Sequence, residues 1–185
     1  MSEFVSATQP PRKPPRPVSR EWLFRAAAYY LERYSSSSGN LRRVLQRKVL
    51  KRTRERGEEA GDFQGLIDET VAHFVELRLL DDKAYAESRV ATLRRKGTSL
   101  SRTRMKLIEK GVDAETAQAA LGRDETPEAE AAQRLVRRRR LGPYRTRERA
   151  ERRDRDIAAV MRAGFSFRDA VAAVDGEAEE GVLGT

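Results

Sequence analysis

The chain has 185 residues, of which 38 are Lys or Arg and 29 are Asp or Glu, so its formal net charge is +9. Cys is absent and His73 is the only histidine, which excludes disulfides, zinc sites built from Cys and His, and His-based catalytic triads. No stretch approaches the roughly 18 to 20 apolar residues of a membrane span, and no signal-peptide core is present, so we predict a cytoplasmic protein.

The first predicted element is a proline-rich arm over residues 1–18. Five of the seven prolines lie between Pro10 and Pro17. Their fixed φ angles and missing N–H groups favour an extended chain without regular hydrogen bonds. We therefore predict that this arm is disordered.

From residue 19 onward, composition and spacing predict an all-α protein. Proline is absent as far as Thr126, and the residues that favour helices, Ala, Leu, Arg, Glu and Lys, dominate this stretch. Apolar residues recur at helical intervals, for example at Ile67, Val71 and Phe74. We predict about nine helices, near residues 20–34, 41–56, 64–78, 82–96, 100–110, 114–121, 127–141, 145–163 and 167–174.

Residues that accept special backbone conformations mark the predicted helix ends. The glycines among them are Gly39, Gly97, Gly111, Gly142 and Gly164. The serine-rich segment Ser35–Gly39 is predicted to be a flexible connection. Asp81 and Asp82 directly precede a predicted helix, so we interpret them as capping residues rather than as catalytic or metal-binding carboxylates.

An internal repeat organises these helices. Residues 107–121 align without gaps to residues 160–174, at an offset of 53 residues. Both copies end one helix with two apolar residues, stop at a glycine (Gly111 or Gly164), and continue through a capping residue into an Ala-rich helix. The helices thus group into three sets of three, each too small to bury a core alone, so neighbouring sets are expected to stack.

The predicted fold is an elongated tandem array of three three-helix repeats. We place the proline-rich arm at 1–18, the repeats at 19–80, 81–122 and 123–175, and an acidic flexible tail at 176–185.

Positive charge recurs with the repeat. Residues 42–56, 89–110 and 134–155 carry net charges of +7, +7 and +8, whereas 58–82 and 111–133 carry −7 and −5. We assign the positive charge to the middle helix of each set. A basic stripe of this kind can neutralise several phosphates and predicts affinity for polyanions. A solvated arginine-rich face without any partner is the alternative for each single cluster.

The sequence offers little evidence for an enzyme. It contains no phosphate-binding loop, zinc-finger spacing, aromatic RNA-binding motif or recognisable helix-turn-helix signature. His73 flanks an apolar helix face and lacks the partners that catalysis would need. The few aromatic residues are interpreted as core residues rather than as a platform for stacking bases. We therefore predict a non-enzymatic protein with no metal and no cofactor.

Several short motifs carry a resemblance to one family. They are Ala-Tyr-Tyr-Leu-Glu-Arg-Tyr at 28–34, Leu-Arg-Arg-Val-Leu-Gln-Arg-Lys at 41–48, Leu-Leu-Asp-Asp-Lys-Ala-Tyr-Ala at 79–86, Arg-Arg-Lys-Gly at 94–97, Leu-Ile-Glu-Lys-Gly-Val at 107–112 and Arg-Ala-Gly-Phe-Ser at 162–166. Over residues 20–175 the chain resembles the RecX family of bacterial proteins that regulate the RecA recombinase. The proline-rich arm, an insertion around 51–62 and the acidic tail fall outside the family pattern.

The resemblance implies tandem three-helix units, in agreement with the internal repeat. It also implies a protein that binds along the groove of the RecA filament on single-stranded DNA and inhibits ATP hydrolysis, strand exchange and co-protease activity. We expect a monomer that docks electrostatically on the filament, with single- or double-stranded DNA as a further partner. The residues assigned to this docking are Arg42, Arg43, Arg47, Lys48, Arg94, Arg95, Lys96, Arg102, Arg104, Arg137, Arg138, Arg139 and Arg140.

Two other interpretations stay open. A helical, sequence-nonspecific DNA-binding protein without a filament partner would bind naked DNA tightly and with strong salt dependence. An interaction scaffold would instead use the segment Pro10–Pro17 as a polyproline ligand.

Overall fold

The structure, a computed structural model, describes residues 16–178. Its helices are α1 (Arg20–Leu31), α2 (Ser38–Arg54), α3 (Gln64–Glu76), α4 (Asp82–Arg95), α5 (Leu100–Glu109), α6 (Ala114–Leu121), α7 (Glu128–Arg139), α8 (Arg149–Arg162) and α9 (Phe167–Asp175). Short 3-10 turns occupy Ala60–Phe63 and Gly142–Tyr144. Within the described range there is no strand, which confirms the all-α prediction. Most of the predicted arm and of the predicted tail lies outside the described residues.

The helices form three consecutive units of three. In each unit the first, second and third helices all contact one another: α1 to α3, α4 to α6, and α7 to α9. Each unit has its own cluster of buried apolar side chains, represented by Leu45, Leu107 and Val160 on the three second helices. This arrangement confirms the predicted helical-repeat fold, while the boundaries of the units stay a prediction. Between residues 16 and 178, no helix is long and apolar enough to cross a membrane.

The start of α2 differs from the prediction. Ser36 and Ser37 are buried, and the Ser37 hydroxyl accepts a hydrogen bond from the Asn40 amide at 3.1 Å, so the helix begins at Ser38 rather than near residue 41. Gly39 is therefore not a helix end, and the serine-rich segment is not a flexible connection. Both predictions were wrong because the polar composition of this segment is typical of a loop, whereas Ser37 caps the first turn of α2.

Other helix ends agree with the glycine signals. Gly97, Gly111 and Gly164 have φ angles of 70°, 77° and 94°, in the left-handed region that glycine accepts most readily. The end of α7 is an exception. Arg140, with a φ of 53°, is the left-handed residue that ends this helix, and Gly142, whose φ of 50° is also positive, begins the following 3-10 turn.

The second helices α2, α5 and α8 meet end to end through two joints of the same construction. At the first joint the Ser37 hydroxyl donates to the carbonyl of Lys110 at the end of α5. At the second joint the Ser99 hydroxyl donates to the carbonyl of Ala163 at the end of α8, at 2.8 Å. The same hydroxyl that caps one second helix thus anchors the end of the next.

An acidic residue from the following unit completes each joint. The Ser38 amide donates to the Asp82 carboxylate and the Leu100 amide donates to the Glu128 carboxylate, each at 2.7 Å. Asp82 and Glu128 are the first residues of α4 and α7, so the first helix of each following unit satisfies the N-terminus of the preceding second helix. Asp81 caps its own helix through the Ala84 amide at 2.9 Å. The prediction that this acidic pair caps helices is confirmed, although Asp82 caps the helix of another unit.

Candidate functional site

Arg94 is the one predicted docking residue that the structure buries completely. Its side chain is 0% exposed, and its Nε donates to Asp124 at 2.7 Å. The two terminal nitrogens donate to the carbonyls of Thr98 and Thr126, both at 2.7 Å. Glu128 lies 3.4 Å from the guanidinium. The predicted docking role is therefore wrong for Arg94, which joins α4 to the start of the third unit.

The other predicted docking residues lie at the surface. Arg42 is half-buried and pairs with Asp68 at 2.6 Å; hydrogen bonds from Gln64 and Arg42 lower the pKa of that carboxyl group. Arg138 is exposed but donates to the carbonyl of Lys96. Exposed side chains make up the rest of the set: Arg43, Arg47, Lys48, Arg95, Lys96, Arg102, Arg104, Arg137, Arg139 and Arg140.

The location of the charge corrects one sequence interpretation. Only the first basic segment, residues 42–56, lies mainly within a second helix. The second, 89–110, covers the end of α4 and all of α5, and the third, 134–155, covers the end of α7, the connecting segment and the start of α8. Positive charge in the last two units is therefore concentrated where the first helix turns into the second, rather than on the middle helix alone.

A strongly basic concavity lies at the joint between the second and third units. We call it the junction groove. It has a volume of about 390 Å³. Its walls come from the turn after α4 and from α5, α7 and α8, and they contain five cationic side chains and no acidic one: Arg102, Lys106, Arg138, Arg139 and Arg162.

A second basic depression surrounds the segment that connects α7 to α8. Its arginines are partly committed to the protein itself. Arg145 forms a bidentate pair with the buried Asp156, at 2.6 and 2.7 Å, and Glu148 also lines the depression. This site therefore presents less uncompensated positive charge than the junction groove.

The single histidine of the chain lies at the surface of α3. His73 is 51% exposed, lies 3.8 Å from Glu76 and contacts the ring of Phe24, as expected for a residue that flanks a packed face. In the part of the chain that the structure describes, no group of three or more His, Cys, Asp or Glu residues could hold a metal ion.

The sequence interpretation missed Lys106 and Arg162 as members of the junction groove. They are far apart in the chain: Lys106 lies among other basic residues, whereas Arg162 is the only basic residue between Arg155 and Arg168. The 53-residue repeat shows only that the end of α8 corresponds to the end of α5. The contact between Ser99 and Ala163 is what places the end of α8 at the start of α5.

Fold and surface together define the class: an all-α protein of tandem three-helix repeats with recurrent basic surfaces. A family model described as RecX, second three-helix domain, matches residues 81–121. The regulatory protein RecX of Myxococcus xanthus is 41% identical over 167 residues, which cover 88% of this chain and 89% of that relative. The regulatory protein RecX of Agrobacterium fabrum is 38% identical over 156 residues, or 82% of each chain. The chain therefore belongs to the RecX family.

Solved structures support the fold. A crystal structure of regulatory protein RecX matches with a TM-score of 0.59 at 20% identity, over 85% of this chain and 72% of the other. RecX from Lactobacillus salivarius matches with a TM-score of 0.57 at 20% identity, over 84% of this chain and 94% of the other.

Proposed function

We propose that this protein is a non-enzymatic regulator that binds RecA nucleoprotein filaments and inhibits their recombinase, ATPase and co-protease activities. The observation that carries the proposal is that basic surface recurs along consecutive units of a chain that aligns with a regulatory RecX protein over most of its length. A filament offers a periodic partner, and a row of similar units is suited to contact several of its subunits at once.

Inhibition then follows from differential binding. A filament changes conformation as its subunits bind and hydrolyse ATP. A bound protein stabilises the conformation for which it has the higher affinity, and it slows every step that must leave that conformation. The joints between second helices hold the three units in one row, so the spacing of their contacts is set before binding. Such preorganisation lowers the entropic cost of association.

Exposed apolar side chains on the second helices support a protein partner. Ile108 on α5 and Met161 on α8 are each 43% exposed, and they occupy equivalent positions in the 53-residue repeat. Nucleic-acid backbones offer such side chains no apolar surface, whereas a protein surface can bury them.

The direct test is ATP hydrolysis by preformed filaments of RecA on single-stranded DNA as purified protein is added. We expect hydrolysis to fall in a saturable manner, and filaments to be preferred over the same DNA without RecA at physiological salt. Unchanged hydrolysis at saturating protein would contradict the proposal. Equal or tighter binding to naked DNA would favour the interpretation as a DNA-binding protein without a filament partner.

A further inference from the structure

We propose that the junction groove is a binding site for the phosphodiester backbone of nucleic acid. This inference deepens the proposed function, and it rests on that function only for its biological setting, because a nucleoprotein filament presents DNA together with protein.

The positive charge of the junction groove is not neutralised by the protein. Among the described residues, no acidic side chain pairs with Arg102, Lys106, Arg139 or Arg162. The acidic side chains of the neighbouring α7 already have partners: Glu128 accepts from the Leu100 amide, and Glu130 pairs with Arg134. The groove therefore concentrates positive charge that the protein does not neutralise, and such a concavity attracts anions.

The cations of the junction groove are of the type that suits phosphate. Four of the five cationic residues are arginines. A planar guanidinium can donate two parallel hydrogen bonds to the oxygens of one phosphate, which a lysine ammonium does not do in that geometry. Arg138 already donates to the carbonyl of Lys96, so it is held at the wall of the groove and loses less side-chain entropy when an anion binds.

The remaining lining favours a phosphate backbone over an acidic segment of a protein. No aromatic side chain lines the groove, and its one large apolar residue, Leu135, is only 2% exposed. A protein segment usually anchors an apolar or aromatic side chain in a pocket, and a base usually stacks on an aromatic ring. Neither feature is offered here, whereas contacts to the backbone require only the cations.

The joint gives the groove its shape. Ser99 and Ser101 donate to the carbonyls of Ala163 and Gly164, at 2.8 and 3.2 Å. These bonds bring the start of α5, with Arg102, to the end of α8, with Arg162. The two arginines come from different units, so the site exists only when the second and third units are joined.

The test compares two double variants with the intact chain. Arg102→Gln/Arg162→Gln removes two groove cations. Arg25→Gln/Arg168→Gln removes the same charge from exposed positions that do not line the groove. Binding of a fluorescent oligo-thymidine is measured by anisotropy over a series of salt concentrations, with thermal melts to verify that both variants fold.

We expect the groove variant to lower the magnitude of the slope of log K against log salt by about 1.4, and to weaken binding about tenfold near physiological salt, because two phosphate contacts are lost. The control variant should change the slope by less than half as much. Equal slopes for the two variants would overturn the proposal.

RecA filament ATPase, measured with the same proteins, separates the two proposals. If the intact protein does not inhibit hydrolysis, the proposed function fails. The salt slopes still test, independently, whether the junction groove binds nucleic acid. If the groove variant loses inhibition but binds the oligonucleotide with the slope of the control, the groove contacts an acidic protein surface and the nucleic-acid proposal is overturned.

Discussion

Arg94 and Arg95 are neighbours in the chain with opposite environments. Arg94 is buried among Asp124 and two backbone carbonyls, whereas Arg95 is exposed. We expect Arg94→Ala to lower the free energy of unfolding by about 3–5 kcal/mol, because it leaves a buried carboxylate and two carbonyls without their donor. Chemical denaturation measures the change.

Arg95→Ala is the matched control, since it removes the same side chain from the next position. It should change the free energy of unfolding by less than about 0.5 kcal/mol, as surface substitutions usually do. Similar losses of stability in the two variants would contradict the assignment of Arg94 as a structural residue.

Asp156 is buried on α8 and accepts hydrogen bonds from Arg145 and from the Gly142 amide at 2.8 Å. Burial by itself would raise the pKa of this carboxyl group, but the Arg145 and Gly142 hydrogen bonds outweigh it, so the pKa lies below its ordinary value. Since the folded state has the lower pKa, the stabilisation is fully present above the unfolded pKa of about 4 and is lost as the pH falls through the folded pKa.

We expect Asp156→Asn to lower the free energy of unfolding by about 3 kcal/mol at pH 7, because it breaks a buried ion pair. The difference between this variant and the intact protein should shrink as the pH drops below about 4. Urea unfolding at a series of pH values measures it, and a difference that stays constant down to pH 2 would contradict the assigned role.

At the residue scale, the sequence could predict local roles but not the choice between buried and exposed cations. The capping role of Asp81 depends on residues within one turn, so its position before a helix was informative. The fate of Arg94 depends on Asp124 and Thr126, some thirty residues away in the chain. No local pattern distinguishes it from Arg95.

At the element scale, the first joint between second helices is packed so closely that it leaves no room for a side chain at Gly39. A Cβ added to Gly39, in the first turn of α2, would overlap the backbone of Gly111. A Cβ added to Gly65, in the first turn of α3, would have no atom within 4 Å. Both glycines thus lie in the first turn of a helix, but only Gly39 is packed against the backbone of another unit.

We expect Gly39→Ala to destabilise the protein by about 1–3 kcal/mol, because neither backbone can yield without moving one unit against the next. Gly65→Ala should instead stabilise it by about 0.5–1 kcal/mol, since alanine is the better helix former. Thermal melts of both variants provide the comparison. A Gly39→Ala protein as stable as the Gly65→Ala protein would show that the first joint is not closely packed.

The elements themselves were largely predictable, and their contacts were not. Helix periodicity and the stops at Gly97, Gly111 and Gly164 depend on nearby residues, and the structure confirms them. The start of α2 was missed because Ser36 and Ser37 are polar yet buried. Ser37 contacts Lys110 of the second unit, which the local composition does not reveal.

At the scale of the whole molecule, the exposed apolar residues Ile108 and Met161 on successive second helices allow a test that distinguishes a protein partner from a nucleic-acid partner. We expect Ile108→Ser/Met161→Ser to raise the concentration needed to inhibit RecA filament ATPase about tenfold, because apolar contacts at an interface are lost. Binding to the oligonucleotide should stay unchanged, since no cation is removed.

Val75→Ser/Leu77→Ser serves as the control for that variant. These residues are 46% and 49% exposed near the end of α3, outside the row of second helices. Equal effects of the two double variants on the ATPase would argue against a contact surface along α5 and α8.

The joints also have a consequence for how such a protein can evolve. The middle unit carries both halves of the connection: Ser99 at the start of α5 points toward the third unit, and Lys110 and Asp82 receive the first unit. A gene segment that encodes this unit could therefore be duplicated in frame, and each copy would fit the next without any new contact surface. Lengthening by duplication is then a small genetic step, and the 53-residue repeat is the trace that such descent leaves in a sequence.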